Sequence, residues 1–216
     1  MPRRTAEQWI EHYHEMSEAE NRLRGQGYTL ICGVDEVGRG PLAGPVMAGA
    51  VILPPDTELV IPGVDDSKKV SPKKRAELYG IIQEKAIAWA VGAADVETID
   101  RINILQATML AMRRAIEQLD PQPDALLVDA LTLHDTSIPQ QPIVHGDARS
   151  VSIAAASILA KVTRDTLMEE LDELYPQYGF RDNKGYGTAA HIAAIREYGP
   201  CPIHRKSFIG HFVEEG

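Results

Sequence analysis

The order of the apolar segments constrains the fold of this chain more than any other feature. Two runs typical of buried strands, "YTLICGVDEV" and "PVMAGAVILP", are separated only by a turn rich in glycine and proline. Such a short connection joins antiparallel neighbours. Amphipathic and apolar segments then alternate, as they do where helices connect the strands of a parallel sheet. The sequence therefore predicts an α/β fold whose sheet begins antiparallel and ends parallel.

The helices are predicted from capping signals and from apolar periodicity. Ser71 and Pro72 form a favourable pair for the N-cap and the first helical position. Between Leu105 and Leu119, apolar residues recur at steps of three and four, the stripe of a helix that lies on a sheet. The predicted helices span residues 6–24, Ser71 to about Ala86, Asn103 to Pro121, Arg149 to Pro176, and Thr188 to Tyr198.

Four acidic residues lie at or near the ends of predicted strands, where open α/β sheets usually place their active sites. Asp35 and Glu36 end the first strand, Asp129 closes "ALLVDA", and Asp147 closes "PIVHGD". Carboxylates brought together repel and raise each other's pKa, unless a hard divalent cation such as Mg²⁺ or Mn²⁺ binds them. We therefore predict a metal site, which with two ions would support phosphodiester hydrolysis.

Each of these carboxylates has a simpler interpretation. An isolated acidic pair is usually a solvated surface feature, Asp129 could cap a turn, and Asp147 could be the N-cap of the helix that follows it. Neighbouring residues on a regular strand also point to opposite faces of the sheet. Asp35 and Glu36 would therefore share a metal only if the strand ends or bends near Gly38.

A phosphate-binding loop is an alternative explanation of the same glycine-rich stretch. Gly33 and Gly38 have the spacing of G-x-x-x-x-G, and Arg39 stands where the lysine of such a loop would be. The chemistry fits poorly, however, because Gly40 replaces the hydroxyl residue that binds Mg²⁺. Two carboxylates inside the loop would also repel the phosphates.

The overall charge opposes nonspecific wrapping of nucleic acid, since 22 Lys and Arg residues stand against 31 Asp and Glu residues, a net charge of −9. A polyanionic substrate would need a local basic track. Tyr186 lies in a glycine-flanked loop and could stack on a sugar or base, whereas His145, His191 and His204 lack metal spacing and predict no site. The candidate basic residues are Lys68, Lys69, Lys73, Lys74, Arg75, Arg149, Lys161, Arg164, Lys184, Arg205 and Lys206.

Several features point to the cytoplasm. The N-terminal segment lacks the apolar core of a signal peptide, and no stretch approaches the roughly 20 apolar residues of a membrane span. Cys32 and Cys201 are too few for a disulfide framework. A monomer is the default expectation.

The sequence resembles the ribonuclease HII family, in its bacterial form. The resemblance runs from about residue 28 to 210, and its most specific blocks are "DEVGRGPLAGPV" and "SIAAASILAKVTRD". The other matching blocks are "DSKK", "NILQATMLAM", "LLVDA", "YGFRDNKGYGT" and "HRKSF".

The resemblance implies a ribonuclease H-like fold, a five-stranded mixed sheet flanked by helices. It divides the chain into an N-terminal helical extension (1–27), a catalytic domain (28–176) and a small substrate-binding subdomain (177–216). It also implies an endonuclease dependent on Mn²⁺ or Mg²⁺ that cuts the RNA strand of RNA–DNA hybrids. Such an enzyme also nicks DNA on the 5′ side of a single embedded ribonucleotide, leaving 3′-hydroxyl and 5′-phosphate ends.

The family's four catalytic acids, which bind its two metal ions, correspond to Asp35, Glu36, Asp129 and Asp147. Its glycine-arginine-glycine element corresponds to Gly38, Arg39 and Gly40, and its substrate-sensing tyrosine to Tyr186. The resemblance implies that this element and Tyr186 together recognise the 2′-hydroxyl at the RNA-to-DNA junction. We further expect substrate contacts from Lys68, Lys161 and Lys184, and a structural role for Asp165.

Three positions depart from the family pattern. Ala130 and Asn183 stand where glycine and histidine are common, and His145 where lysine is common. None of the three removes a catalytic group. Two rival functions are a DNA nuclease that shares the fold, which would cut all-DNA duplexes, and a binding domain that would hold a hybrid without cutting it.

Overall fold

A five-stranded mixed sheet forms the centre of the computed structural model, which describes residues 4–213. Residues 1–3 of the predicted N-terminal extension and 214–216 of the predicted C-terminal subdomain lie outside the described residues. Its strands are β1 (Ile31–Val37), β2 (Val46–Ile52), β3 (Ala88–Ala94), β4 (Ala125–Asp129) and β5 (Gln140–Ile143). They lie in the order β3-β2-β1-β4-β5. β2 pairs antiparallel with β1 and β3, whereas β4 pairs parallel with β1 and β5. The predicted sheet is confirmed.

Eight α-helices are described within residues 4–213. Ser71 caps the third helix, as predicted, and Thr188, predicted as the first residue of the seventh helix, is its N-cap. Both side chains accept hydrogen bonds from backbone N–H groups of the first turn. The short sixth and eighth helices were not predicted, because four to eight residues carry too little periodicity. The helices are α1 (Ala6–Met16), α2 (Glu18–Gly25), α3 (Pro72–Lys85), α4 (Val96–Glu117), α5 (Val151–Leu174), α6 (Phe180–Asn183), α7 (Ala189–Tyr198) and α8 (Lys206–Val213).

Two helix predictions were wrong in their boundaries. The single helix predicted over 6–24 is broken at Ser17, which leaves helical geometry between α1 and α2. α4 begins earlier than predicted because Asp95 accepts a hydrogen bond from the N–H of Thr98 and caps it. Asn103, the predicted start, has a φ of 67° inside α4, and its side chain accepts hydrogen bonds from the next turn. Asn103 therefore caps a second segment of the same helix.

Close helix packing on both faces of the sheet fixes the edge at which the acidic residues lie. A Cβ atom on Gly33 would lie 2.1 Å from the backbone of Ser152, and one on Gly49 would lie 2.3 Å from the carbonyl oxygen of Ala156. Only glycine at these positions lets α5 lie directly on β1 and β2. α4 packs against the opposite face, where Gly92 makes a similar approach.

The N-terminal helices hold the start of α5 through one buried carboxylate. Glu20 in α2 is 2 % exposed, and its Oε1 accepts hydrogen bonds from the Ser150 hydroxyl at 2.6 Å and from the backbone and hydroxyl of Ser152 at 3.0 and 2.6 Å. A negative charge at the N-terminal end of a helix is favourable. Residues 18–25 therefore support the helix that packs on β1 and β2, and the predicted domain boundaries stay a prediction. Within residues 4–213, no helix has the length and apolarity needed to cross a bilayer.

Candidate active site

Three of the four predicted carboxylates lie together at the end of the sheet. Each of Asp35, Glu36 and Asp129 offers an oxygen, and these oxygens lie within 4.8 Å of one another. The parallel pairing of β1 with β4 matches Val34 to Val128, so Asp35 and Asp129 follow the last paired residues of adjacent strands. The topology thus brings together side chains that are 94 positions apart in sequence.

Asp35 and Glu36 reach the same site without a bend between them. β1 remains a strand through Val37, and the first positive φ, 89°, is at Gly38. One carboxylate oxygen of Asp35 instead accepts a hydrogen bond from the N–H of Glu36 at 2.8 Å, so this side chain is directed along the chain. β1 ends at Val37, directly before Gly38, so the strand does end where the sequence analysis required it to end or bend.

Burial and mutual repulsion disfavour the charged forms of these acids. Burial, followed by the charge of Glu36, raises the pKa of Asp35 well above its usual value, and a hydrogen bond with Ser157 opposes this only in part. Burial also raises the pKa of Glu36, although Arg39 lowers it. The Oε2 atom of Glu36 is buried without a hydrogen-bond partner among the described residues. An all-oxygen, anionic donor set with one unpartnered oxygen fits a hard divalent cation.

Asp147 is placed differently from its prediction. β5 ends at Ile143, and Asp147 lies beyond it in a 3₁₀ turn, Gly146–Ala148. The group of three carboxylates does not include it. Its carboxylate lies 3.6 Å from Nζ of Lys68, and burial, with the charges of Asp66 and Asp129, raises its pKa. The alternative of an N-cap role is wrong, since Ser150 caps α5.

Asp66 is a neighbour of this site that the sequence analysis missed. Its charge raises the pKa of Asp147, and its side chain accepts a hydrogen bond from the N–H of Lys68 at 2.9 Å. Burial tends to raise the pKa of Asp66, but the Lys68 amide and the charge of Lys69 outweigh it and lower the value. The "DDSKK" spacing, an acid two residues before a lysine, was the available signal.

The glycine-arginine-glycine turn and Tyr186 lie side by side, as the resemblance implied. A Cβ atom on Gly40 would lie 3.7 Å from Cε1 of Tyr186, whose side chain is 44 % exposed. Arg39 is also exposed, and its guanidinium lies 3.5 Å from the carboxylate of Glu36. The turn therefore joins the acidic group to the exposed aromatic ring.

Two fully buried arginines hold this turn, although both were predicted to contribute to a phosphate-binding track. Arg164 donates hydrogen bonds to the carbonyl oxygens of Ala43, Pro45 and Lys184 at 2.9–3.0 Å. Arg205 donates to the carbonyl oxygens of Gly38, Arg39 and Gly44 at 2.6–3.0 Å. Burial lowers the pKa of both groups, that of Arg205 to about 9. Their donors are used inside the protein, so the prediction of phosphate contact is wrong for both.

The three predicted substrate lysines differ in their partners. Lys68 is 85 % exposed and faces Asp147 at the acidic site. Lys161 pairs with Asp165 at 2.7 Å, and Lys184 pairs with Glu169 at 2.6 Å. Both of these pairs involve α5 rather than the carboxylate group.

The phosphate-loop alternative is contradicted by the connectivity. A loop of that kind joins a strand to a helix whose N-terminus receives the phosphate. Here the turn after Gly38 joins the antiparallel strands β1 and β2, and Gly33 lies within β1 against α5.

The three departures from the family pattern have structural counterparts. Ala130 and His145 have φ values of 52° and 55°, in the left-handed region that favours glycine. The two residues begin and end a segment that brings Gly146 back to Asp129, and the N–H of Gly146 donates a hydrogen bond to the Asp129 carboxylate at 2.6 Å. Asn183 braces the loop of Tyr186 by accepting from the N–H of Gly185 and donating to the carbonyl oxygen of Tyr178.

Comparison with known proteins gives the family. The model of the ribonuclease HII family matches residues 32–211 of this chain. The chain belongs to the ribonuclease HII family. It is 59 % identical over 191 residues to ribonuclease HII of Geobacter sulfurreducens, covering 88 % of this chain and 87 % of the relative. It is 57 % identical over 196 residues to that of Enterococcus faecalis, covering 91 % and 76 %.

Structural comparison supports the same conclusion. The crystal structure of ribonuclease H2 from Pyrococcus horikoshii OT3 matches with a TM-score of 0.68 at 25 % identity, covering 84 % of this chain and 98 % of that one. The predicted ribonuclease H-like fold is confirmed. Membership of the ribonuclease HII family also confirms the prediction of a metal-dependent endoribonuclease that acts on RNA–DNA substrates.

Proposed function

We propose that this ribonuclease HII hydrolyses the RNA strand of RNA–DNA hybrids and nicks duplex DNA on the 5′ side of a single embedded ribonucleotide. The products would carry 3′-hydroxyl and 5′-phosphate ends, and the role would be the removal of ribonucleotides from DNA. The observation that supports this most is the placement of three carboxylates next to a turn and an exposed tyrosine suited to reading a sugar.

Asp35, Glu36 and Asp129 would hold Mn²⁺ or Mg²⁺, and Asp147 would complete a site for two ions. The raised pKa values of Asp35, Glu36 and Asp147 indicate that these three acids take up a proton or a cation. When bound, the ions supply an activated water and stabilise the leaving oxygen. The chain itself fixes the acids: Gly146 holds Asp129 by its N–H, and the N–H of Glu36 holds Asp35.

The turn formed by Gly38, Arg39 and Gly40 would select the ribose. Because Gly40 has no side chain, a sugar can approach its backbone beside the ring of Tyr186. The 2′-hydroxyl is the group that separates RNA from DNA, and both donors and acceptors are available on a turn backbone. Arg205 fixes the carbonyl groups of Gly38 and Arg39, and Arg164 fixes those of Ala43 and Pro45 just after the turn, so the shape of the turn would be set before substrate binds.

Arg39 and Lys68 would contact the phosphates next to the scissile bond, since both are exposed and border the acids. Lys161 and Lys184 remain proposed contacts to more distant phosphates. There the substrate would compete with the ion pairs to Asp165 and Glu169. Because the net charge of the chain is −9, a polyanionic substrate would need such a local group of positive charges to bind.

We propose that the enzyme acts as a monomer.

Cleavage assays test this function. The protein is incubated with an all-DNA duplex, a duplex carrying one ribonucleotide and an RNA–DNA hybrid, each with Mn²⁺, Mg²⁺ or EDTA. We expect metal-dependent cleavage of the last two only, and a loss of at least about a hundredfold in Asp129→Asn, because one carboxylate ligand is removed. Asp120→Asn, an exposed control outside the site, should retain activity. Cleavage of the all-DNA duplex, or full activity in Asp129→Asn, would contradict the proposed function.

A further inference from the structure

A chain of hydrogen bonds between two buried histidines ends at the backbone of Tyr186. The Nε2 atoms of His191 and His204 lie 3.0 Å apart. Nδ1 of His191 lies 2.8 Å from the carbonyl oxygen of Tyr186, and Nδ1 of His204 lies 2.9 Å from the backbone nitrogen of Cys201. The sequence alone indicated no site at either histidine.

The partners at the two ends of this chain assign the protons. Nδ1 of His204 also lies 3.1 Å from Sγ and 3.3 Å from the carbonyl oxygen of Cys201, but its shortest contact is with the amide of Cys201, which can only donate. Nδ1 of His204 is therefore the acceptor, and its Nε2 carries the proton. That proton lies between the two Nε2 atoms, so Nε2 of His191 accepts it. The remaining proton of His191 is on Nδ1, which donates to Tyr186. In this arrangement all four ring nitrogens have a suitable partner, and the two rings are neutral and in opposite tautomers.

The surroundings favour this neutral arrangement. His191 and His204 are 0 % and 2 % exposed, and the aromatic rings of Tyr178 and Phe180 pack against both. Burial lowers the pKa of both histidines, that of His204 to about 4. A proton added to His191 would place two N–H groups against each other between the Nε2 atoms, and one added to Nδ1 of His204 would face the N–H of Cys201. The pair therefore behaves as a fixed directional brace.

Asn183 holds the N-terminal side of this loop, since its carbonyl oxygen accepts from the N–H of Tyr186 and its side chain accepts from the N–H of Gly185, whereas the histidine pair holds the carbonyl group of Tyr186. Gly185 and Gly187 flank Tyr186, and Gly185 has a φ of 84°. The carbonyl oxygen of Tyr186 accepts one further hydrogen bond, from the N–H of Thr188 in the same loop. His191 is thus the side chain that ties this carbonyl group to the body of the protein.

We propose that His191 and His204 are positioning residues that hold Tyr186 beside Gly40 and thereby set the selectivity for a ribonucleotide followed by DNA. The inference rests on the proposed function, in which Tyr186 reads the ribose. Neither histidine touches the substrate. Their effect passes through the direction of the Tyr186 backbone.

The first test measures the tautomers directly. Long-range ¹H–¹⁵N spectra of the histidine rings in the intact protein at about pH 7 should show one buried ring protonated on Nδ1 and the other on Nε2, both neutral. Two rings with the same tautomer, or a charged ring, would overturn the inference. This measurement needs no variant, so it holds even if substitutions impair folding.

The second test uses selectivity, the ratio of kcat/KM for the single-ribonucleotide duplex to that for a continuous hybrid. His191→Phe removes the donor, and we expect the ratio to fall about tenfold, since a lost hydrogen bond in a buried site is worth about 1.4 kcal/mol. His191→Asn keeps an N–H near the position of Nδ1 and should restore most of the ratio. A structural role alone would lower both activities without changing their ratio.

A double-mutant cycle identifies the residue through which the histidine acts. In a Tyr186→Ala background, His191→Phe should change the ratio no further, because the tyrosine that it positions is gone. An additive effect, or an unchanged ratio in Tyr186→Ala alone, would overturn the inference. If the wild type fails to cut the single-ribonucleotide duplex, the proposed function fails with it. If wild-type selectivity is intact and His191→Phe preserves it, only this inference fails.

Discussion

Replacing Asp129 with asparagine should stabilise the metal-free protein, yet make it less stable than the wild type once metal is added. Asp35, Glu36 and Asp129 present oxygens within 4.8 Å of one another. Two unit charges at that distance repel by about 3.5 kcal/mol at an effective dielectric constant of about 20. Raised pKa values in Asp35 and Glu36 relieve part of this repulsion, because a protonated acid carries no charge. The net gain on removing one charge should therefore be smaller, about 1 kcal/mol.

Asparagine is a suitable replacement because its side-chain oxygen can still accept the hydrogen bond from the N–H of Gly146. In EDTA, Asp129→Asn should therefore melt about 2–4 °C above the wild type, the shift expected from about 1 kcal/mol in a chain of this size. With Mn²⁺ at about a hundred times its Kd, the wild type should gain about 2.7 kcal/mol from binding. The variant lacks one ligand and should gain much less, so the order of the two melting temperatures should reverse.

Thermal unfolding followed by circular dichroism, with and without Mn²⁺, measures both differences. Asp182→Asn removes an exposed carboxylate outside the group and should follow the wild type in both conditions. If Asp129→Asn is the less stable protein in EDTA, repulsion between the carboxylates does not govern the stability of the metal-free site. If Mn²⁺ stabilises the variant as much as the wild type, Asp129 does not bind the metal, and the account of the site is refuted.

Three further predictions concern the scaffold. Ala130→Gly should stabilise the protein by about 0.5–1 kcal/mol in urea unfolding, because a φ of 52° strains alanine, whereas Ala193→Gly in the exposed face of α7 should cost about 1 kcal/mol. If both variants changed the free energy of unfolding in the same direction, the φ of Ala130 would not be a source of strain. Glu20→Gln should lower the free energy of unfolding by about 1–2 kcal/mol, because a buried charge that accepts three hydrogen bonds is lost. The exposed control Glu18→Gln should lower it by only about a few tenths of a kcal/mol. Equal losses in the two variants would show that Glu20 does not anchor α5. The lowered pKa of His204, about 4, means that the unfolded chain binds a proton that the folded protein resists. The contribution of His204 to stability should therefore be lost as the pH falls from about 6.5 to 4, and His204→Gln should flatten this dependence; an unchanged slope in urea titrations across that range would contradict the assignment.

The sheet and most of the helices could be predicted because their signals are local. Apolar runs, turn residues and the cap at Ser71 each act within a few positions, and the structure confirms them. Asn103 shows the limit of such signals, since a capping residue lies inside a longer helix. Asp95, an equally good cap earlier in the chain, determined where the helix begins.

The site was predictable where strand order determines it, and not where long-range contacts do. Strand ends placed Asp35, Glu36 and Asp129 together, but Asp147 lies beyond its strand, because a turn intervenes after Ile143. Nothing local separates a buried arginine from an exposed one. Arg164 and Arg205 therefore looked like phosphate contacts, although the carbonyl groups that they bind come from distant segments.

A manganese-bound crystal structure tests the central claim most directly. Anomalous scattering from Mn²⁺ should give a peak within about 2.0–2.3 Å of oxygens from Asp35, Glu36 and Asp129. The same crystals of Asp129→Asn should show that peak weakened or absent. A wild-type protein that cleaves a ribonucleotide-containing duplex with Mn²⁺, yet binds the ion only at other residues, would contradict the account.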